Sequence, residues 1–114
     1  MKISEHFHDS EFTCKCCGES VIDIRLIILL EDIRVHFGKP VSVTSGYRCE
    51  AHNRAIGGSK SSQHLKGTAA DFNIIGVSPA KVQQYLADHQ GGLGLGSKTF
   101  THADVRDHKA RWHY

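Results

Sequence analysis

A histidine and an aspartate in the stretch Ser62–Asp71 are of residue types that bind zinc, and they lie seven residues apart. In a helix seven residues advance the chain by about 10 Å, and in a strand by about 23 Å with the two side chains on opposite faces. Donor atoms around one tetrahedral metal are only about 3 to 3.5 Å apart. His64 and Asp71 can therefore share a metal only if the chain turns between them, and Lys66-Gly67 is where it can turn. A hydrogen-bonded pair that fixes a turn is the plainer interpretation.

A third ligand has to come from elsewhere, because a catalytic zinc typically takes three protein ligands and keeps a fourth position for water. His102 is the best candidate, since it lies in a predicted strand near the C-terminus. Asp104 follows two residues later, and side chains two apart in a strand lie on the same face. We expect one of the two to bind metal while the other works beside it. The alternatives are a solvent-facing histidine and a structural pairing of Asp104 with Arg106 or Arg111.

The four cysteines form a second group of chemically capable side chains. Three of them lie in a short knuckle that ends in a glycine, Cys14-Lys15-Cys16-Cys17-Gly18, and the fourth is the distant Cys49. A knuckle plus one distant thiol matches the count of a four-cysteine structural zinc site, although the adjacency of Cys16 and Cys17 makes that geometry awkward. The other two interpretations are a disulfide that ties Cys49 to the knuckle after release from the cell, and free buried thiols.

Hydrophobic periodicity predicts the elements that hold these residues. Residues 1–20 are expected to be an irregular, cysteine-containing entry segment with one capped turn, packed on the body of the protein. The elements predicted after it are a core helix over 23–37, a strand over 41–44, a long polar loop over 49–62, a strand over 70–75, a helix over 78–90, and two neighbouring strands over 93–96 and 100–105. The sequence thus predicts one α+β domain over residues 1–114, with a small, mainly antiparallel sheet backed by two helices.

Composition limits the function classes. The formal net charge is +2 with no dense basic run, so nucleic acid is not an expected partner. The longest apolar run, Leu26 to Leu30, is far too short to cross a bilayer, so we expect no membrane insertion. Nothing at the N-terminus resembles a secretion signal. We expect a monomer that is made in the cytosol and acts on an extracellular target after release or as part of a phage particle.

Three motifs carry a resemblance to a known family: Ser62-x-His64-x-x-Gly67-x-Ala69-x-Asp71, the preceding Ser45-Gly46-Tyr47-Arg48 with Gly57-Gly58, and the following His102-x-Asp104-x-Arg106 with Trp112. In these the chain resembles the zinc-dependent D-alanyl-D-alanine peptidases of the M15 type, and most of all the compact members found in phages and prophages. The match runs from the first helix to Trp112. It implies a fold shared with the hedgehog signalling domain and cleavage of bonds next to D-amino acids in peptidoglycan stem peptides.

The resemblance also implies roles for individual residues. His64, Asp71 and His102 are implied as the zinc ligands. Arg48 is implied to bind a carboxylate of the substrate, which suits a guanidinium because it can donate two parallel hydrogen bonds and keeps its charge. Ser62 is expected to hydrogen-bond the substrate backbone. The plainer interpretation of Arg48 is a surface residue that bridges the loop.

The group that takes the proton from the attacking water is the least determined part of the predicted site. Several relatives have an acidic residue three positions before the last histidine ligand, where this chain has Thr99, and others have a histidine two positions before it, where this chain has Phe100. Asp104 is the nearest remaining carboxylate, so we predict it as the base, with His108 and Asp107 in reserve. Asp104 can instead orient a ligand histidine through a hydrogen bond to the ring nitrogen that does not bind the metal.

The sequence therefore predicts a zinc metallopeptidase, a carboxypeptidase or an endopeptidase, that acts on peptidoglycan peptides with one catalytic Zn²⁺ and, if the cysteines bind metal, a second structural one. The absence of an acidic residue at position 99 supports an alternative, a catalytically silent zinc-binding module that recognises peptidoglycan or forms part of a phage particle. A peptidase for another small peptide is the third hypothesis.

Overall fold

Three α-helices and five β-strands make up the chain, and the computed structural model describes all of its 114 residues. The helices are α1 (Ile24–Phe37), α2 (Glu50–Ala55) and α3 (Pro79–Tyr85). The strands are β1 (Val41–Ser45), β2 (Ala69–Ile74), β3 (Gly92–Leu95), β4 (Thr101–Asp104) and β5 (Ala110–His113). Two short 3-10 helices span Asp9–Phe12 and Gln63–Lys66.

The five strands form one sheet in the order β1-β2-β4-β3-β5. The pairs β1–β2, β2–β4 and β3–β4 are antiparallel, and only β3–β5 is parallel. The predicted α+β class with a small, mainly antiparallel sheet backed by helices is confirmed, and it is compatible with a hedgehog-like fold. β2 and β4 lie inside the sheet, so side chains on these two strands are held by neighbours on both sides.

The helix α1 supplies one side of the hydrophobic core. Asp23 caps its start by accepting a hydrogen bond from the Arg25 N–H, and Gly38 ends it in the left-handed conformation. Its buried residues share one core with residues of β2, β3 and the N-terminal segment, among them Phe7, Phe12, Leu30, Ile33, Phe72 and Leu93. Each such side chain contributes about 1.5 to 3 kcal/mol relative to full exposure. None of the helices has both the length and the apolar character needed to cross a membrane.

Three elements differ from those predicted. The expected loop over 49–62 contains α2, which has no apolar face because the residue that it buries is Asn53. The helix α3 ends at Tyr85, short of Gln90. The last strand, β5, was not predicted; it adds to the outer edge of β3 and gives the sheet its one parallel pair.

Candidate metal centre

The chain turns between His64 and Asp71 as their spacing requires. The Ser62 hydroxyl accepts a hydrogen bond from the His64 N–H at 3.2 Å and so caps the 3-10 helix Gln63–Lys66. Gly67 ends that helix with φ +71°, and a Cβ there would collide with the backbone of Val21. A glycine is therefore required at this turn, both for its conformation and for its lack of a side chain.

The sheet register brings the other two predicted ligands together. Asp71 on β2 is the direct cross-strand partner of His102 on β4. Asp71 Oδ1 lies 2.9 Å from His102 Nδ1 and 3.4 Å from His64 Nε2. One donor atom from each residue lies within 4.8 Å of the other two. These separations are close to those of donors around one tetrahedral ion.

The ring nitrogens that face away from this centre are held by acceptors. His64 Nδ1 lies 2.8 Å from the carbonyl oxygen of Gly46, which can only accept, so Nδ1 carries the proton and Nε2 presents a lone pair to the centre. His102 Nε2 lies 2.9 Å from Asp104 Oδ2. Such partners fix the orientation of a metal-binding histidine and raise its basicity. Two histidines and one carboxylate, with both rings held in this way, fit a zinc ion.

The charges of the group favour a cation between them. Burial opposes the ionisation of Asp71, but hydrogen bonds from His102 and His64 hold its pKa well below its usual range. Burial also opposes a charge on His102, but its hydrogen bonds to Asp104 and Asp71 raise its pKa above the ordinary value. The half-buried Asp71 and the fully buried Asp104 therefore flank the imidazole of His102, and both carboxylates stabilise a positive charge at this point.

Asp104 is fully buried and its two oxygens are occupied by protein donors. Oδ1 accepts hydrogen bonds from the backbone N–H of Gly92 at 2.9 Å and from Nε of Arg106 at 2.8 Å. Oδ2 accepts one from Nη2 of Arg106 at 2.7 Å and faces His102. Burial raises the pKa of Asp104, but the hydrogen bonds from Arg106 and His102 lower it by more. The pKa of Asp104 therefore lies well below its usual range. The contacts of Asp104 are thus with Arg106, with His102 and with the backbone of Gly92 on β3.

A cavity of about 470 Å³ is lined by His64, Asp71 and His102. Arg48 and Ser62 line it, as expected for substrate-binding residues. The Arg48 guanidinium lies 3.5 Å from Asp71 Oδ2 and also donates to Ser45 Oγ and Asn53 Oδ1, both at 3.3 Å. These contacts hold a mostly buried positive charge on the wall beside the metal centre.

Part of the cavity wall comes from aromatic residues to which the sequence analysis gave no role in the site. Trp112 on β5 meets the His102 ring edge-on, with 5.0 Å between ring centroids, and the Arg106 guanidinium lies 5.2 Å from the centre of the Trp112 ring. Tyr114, just after β5, also lines the cavity. The run of Arg111, Trp112 and His113 has the residue types of a short strand, which is the signal that could have revealed this wall.

A family model for peptidase M15 matches residues 5–104. The chain belongs to the peptidase M15 family. Among curated proteins, it is 37% identical over 74 residues to the peptidoglycan L,D-endopeptidase MepK of Escherichia coli K12, and the same figures hold for the proteins of that name from Escherichia coli O157:H7 and Shigella flexneri. The matched region covers 59% of this chain and 41% of each relative. The chain thus spans less than half the length of these relatives.

Other candidate residues of this M15 peptidase lie apart from the metal centre. The reserve candidates Asp107 and His108 are exposed, contact each other at 3.0 Å, and do not line the cavity. Of the four cysteines, the structure brings together the sulfur atoms of three, and leaves the exposed Cys16 outside that group; the three are Cys14, Cys17 and Cys49. None of the four forms a disulfide.

Proposed function

We propose that this M15 family member is a zinc-dependent peptidase that hydrolyses a peptide bond next to a D-amino acid in peptidoglycan stem peptides. The observation that carries this proposal is the convergence of the donor atoms of His64, Asp71 and His102 at the floor of an accessible cavity. The substrate class is supported by the relatives that are named peptidoglycan L,D-endopeptidases.

Each of the three ligands has a defined task. His64 binds through Nε2, because its Nδ1 is held by the Gly46 carbonyl, and His102 binds through Nδ1, because its Nε2 faces Asp104. Asp71 supplies the negative charge between them. A zinc ion in this position would lower the pKa of a bound water towards about 7 and polarise the carbonyl of the scissile bond.

Arg48 and the aromatic wall position the substrate. Because Ser45, Asn53 and Asp71 already orient the Arg48 guanidinium, little side-chain entropy is lost when it binds a carboxylate or carbonyl of the stem peptide. Trp112 and Tyr114, which also line the cavity, offer apolar surface to the aliphatic parts of the peptide. Ser62 keeps its hydroxyl proton free for a substrate acceptor while its oxygen caps the turn before His64.

For Asp104, we propose the positioning role over the role of base. It has no exposed surface, and its oxygens are engaged by Arg106, Gly92 and His102. It therefore acts through His102, whose ring it orients, and the positive charge of Arg106 keeps it ionised.

A second candidate function is a zinc-binding module that recognises peptidoglycan without cleaving it. The observation that favours it is the composition of the cavity wall, in which Asp71 is the only carboxylate. A peptidase that works here has to pass the proton of the attacking water through Asp71 or through the solvent that fills the open cavity.

The test is hydrolysis of defined muropeptides by the zinc-loaded protein, with the products identified by mass spectrometry. We expect cleavage within the stem, as an endopeptidase acts, in cross-linked and uncross-linked substrates. Release of only the terminal D-alanine would instead make it a carboxypeptidase. His64→Ala is expected to remove the zinc of this site together with cleavage, while the matched control His108→Ala, at an exposed position outside the cavity, retains both. Tight zinc binding with no cleavage of any fragment would support the silent module.

A further inference from the structure

A second cluster of metal-binding side chains lies where the N-terminal segment meets the start of α2. The sulfur atoms of Cys14, Cys17 and Cys49 all lie within 4.8 Å of one another. Cys14 is buried with 1% of its surface exposed, and Cys49 is the residue that caps α2. None of these three residues lines the cavity above His64, so the cluster is separate from the candidate active site.

The backbone of the N-terminal segment is folded as a metal-binding knuckle. Cys14 and Cys17 have the two-residue separation that is common in structural zinc sites. The Gly18 N–H donates to the Cys14 carbonyl at 3.0 Å, and Gly18 has φ +76°, which a glycine adopts at no steric cost. The Cys14 N–H donates to the Glu19 carbonyl at 2.8 Å and closes the loop. This turn directs both thiols to the same side.

The sulfur atoms receive hydrogen bonds from the backbone, as metal-bound thiolates do. The Cys49 N–H donates to Cys14 Sγ at 3.3 Å, and the His52 N–H donates to Cys49 Sγ at 3.5 Å. Donors arranged in this way stabilise negative charge on sulfur and favour the thiolate form that binds metal.

We propose that Cys14, Cys17 and Cys49 bind a structural zinc ion through their thiolates. Zinc suits the cluster because soft thiolate ligands select it over Mg²⁺ and Ca²⁺. The ion would join the N-terminal segment to the first turn of α2. Arg48 directly precedes Cys49, and Asn53, one turn into α2, contacts the Arg48 guanidinium. The site therefore also fixes the cavity wall that carries Arg48.

Metal content of purified variants tests the proposal. The protein is prepared with excess zinc and a phosphine reductant, desalted, and analysed for zinc per chain. We expect about two zinc ions in the wild type and about one in both His64→Ala and Cys17→Ser. His108→Ala is the control, since it removes a possible metal ligand at an exposed position outside both groups, and it is expected to keep both ions.

A second measurement does not depend on a cysteine variant that folds. Replacing zinc by Co²⁺ in the wild type and in His64→Ala is expected to give the intense near-ultraviolet absorption of thiolate-to-cobalt charge transfer in both. The proposal is overturned if the wild type holds one zinc that His64→Ala removes completely, if no charge-transfer band develops, or if Cys17→Ser keeps both ions. A disulfide between Cys49 and the knuckle in the reduced preparation would overturn it too. None of these outcomes depends on whether the protein cleaves peptidoglycan.

Discussion

Replacing Asp104 by asparagine separates its two candidate roles, because the change removes the charge and keeps the shape of the side chain. In the structure this carboxylate faces His102 at 2.9 Å and receives two side-chain hydrogen bonds from Arg106. If Asp104 positions His102, Asp104→Asn weakens zinc binding about 10- to 100-fold, the usual cost of losing the acceptor behind a ligand histidine. If Asp104 is instead the base, zinc affinity is unchanged and hydrolysis is lost at every zinc concentration.

The magnitude of the stability change follows from the burial of the ion pair. Removing one partner of a buried pair costs about 3 to 5 kcal/mol, because the remaining charge is left without compensation. The Arg106 side chain keeps 22% of its surface in contact with solvent, so we expect a loss at the lower end of this range, about 3 kcal/mol. Urea unfolding of the metal-free protein measures it.

The assay is competition for zinc against a chelating dye, together with hydrolysis of a muropeptide at saturating zinc. The positioning role predicts weaker zinc binding and hydrolysis that recovers when zinc is in excess. The matched control is Asp107→Asn, since the Asp107 side chain is 94% exposed, and it should leave unfolding within about 0.5 kcal/mol of the wild type. Unchanged zinc affinity combined with complete loss of hydrolysis would refute the positioning role.

Three further predictions concern the cavity wall, the turn and the N-terminal segment. Arg48→Lys removes the planar guanidinium that can donate two parallel hydrogen bonds, and it should lower kcat/KM roughly 10- to 100-fold with zinc content unchanged. Activity within twofold of the wild type would exclude a contact between Arg48 and the substrate. Gly67→Ala and Gly57→Ala both place alanine at positive φ, which costs about 1 to 2 kcal/mol of stability in each variant. Only at Gly67 does the added Cβ also collide with backbone atoms, those of Val21. Urea unfolding should therefore show that Gly67→Ala loses about 1 to 3 kcal/mol more than Gly57→Ala. Burial raises the pKa of Glu31, but donors that include His6 lower it more, so its contribution to stability is present above the ordinary pKa of 4.5 and is lost as the pH falls through the lowered pKa. Glu31→Gln should therefore unfold with a weaker acid dependence below pH 4.5, and equal dependence would contradict this.

The parts of the site that the sequence predicted are those with a strong local signal. The separation of seven positions between His64 and Asp71 demands a turn, and Lys66-Gly67 is where the sequence permits it. Period-two alternation placed His102 and Asp104 on one face of a strand, and the structure has them in contact. The exact partnership of Asp71 and His102 across the sheet depends on register, which no local pattern in either strand determines.

The elements that the sequence did not predict are those stabilised by polar contacts or by distant pairing. The helix α2 is held by the Cys49 cap and by the buried amide of Asn53, so it shows no apolar period. The strand β5 is only four residues long and is stabilised by pairing with β3, about 18 positions earlier in the chain. The role of Trp112 could not be seen without that pairing, because its contact with His102 depends on the whole strand order.

The parallel pairing of β5 with β3 has a practical consequence for work with this protein. The backbone N–H of Tyr114 donates to the Leu95 carbonyl, which fixes the last residue of the sequence beside the cavity that it lines. Any polypeptide joined after Tyr114, whether a purification tag or a fused domain, leaves the sheet at the rim of the metal centre. A tag rich in histidine at that end would bring foreign ligands to the proposed zinc site, so metal and substrate measurements should use protein that is tagged at the other terminus.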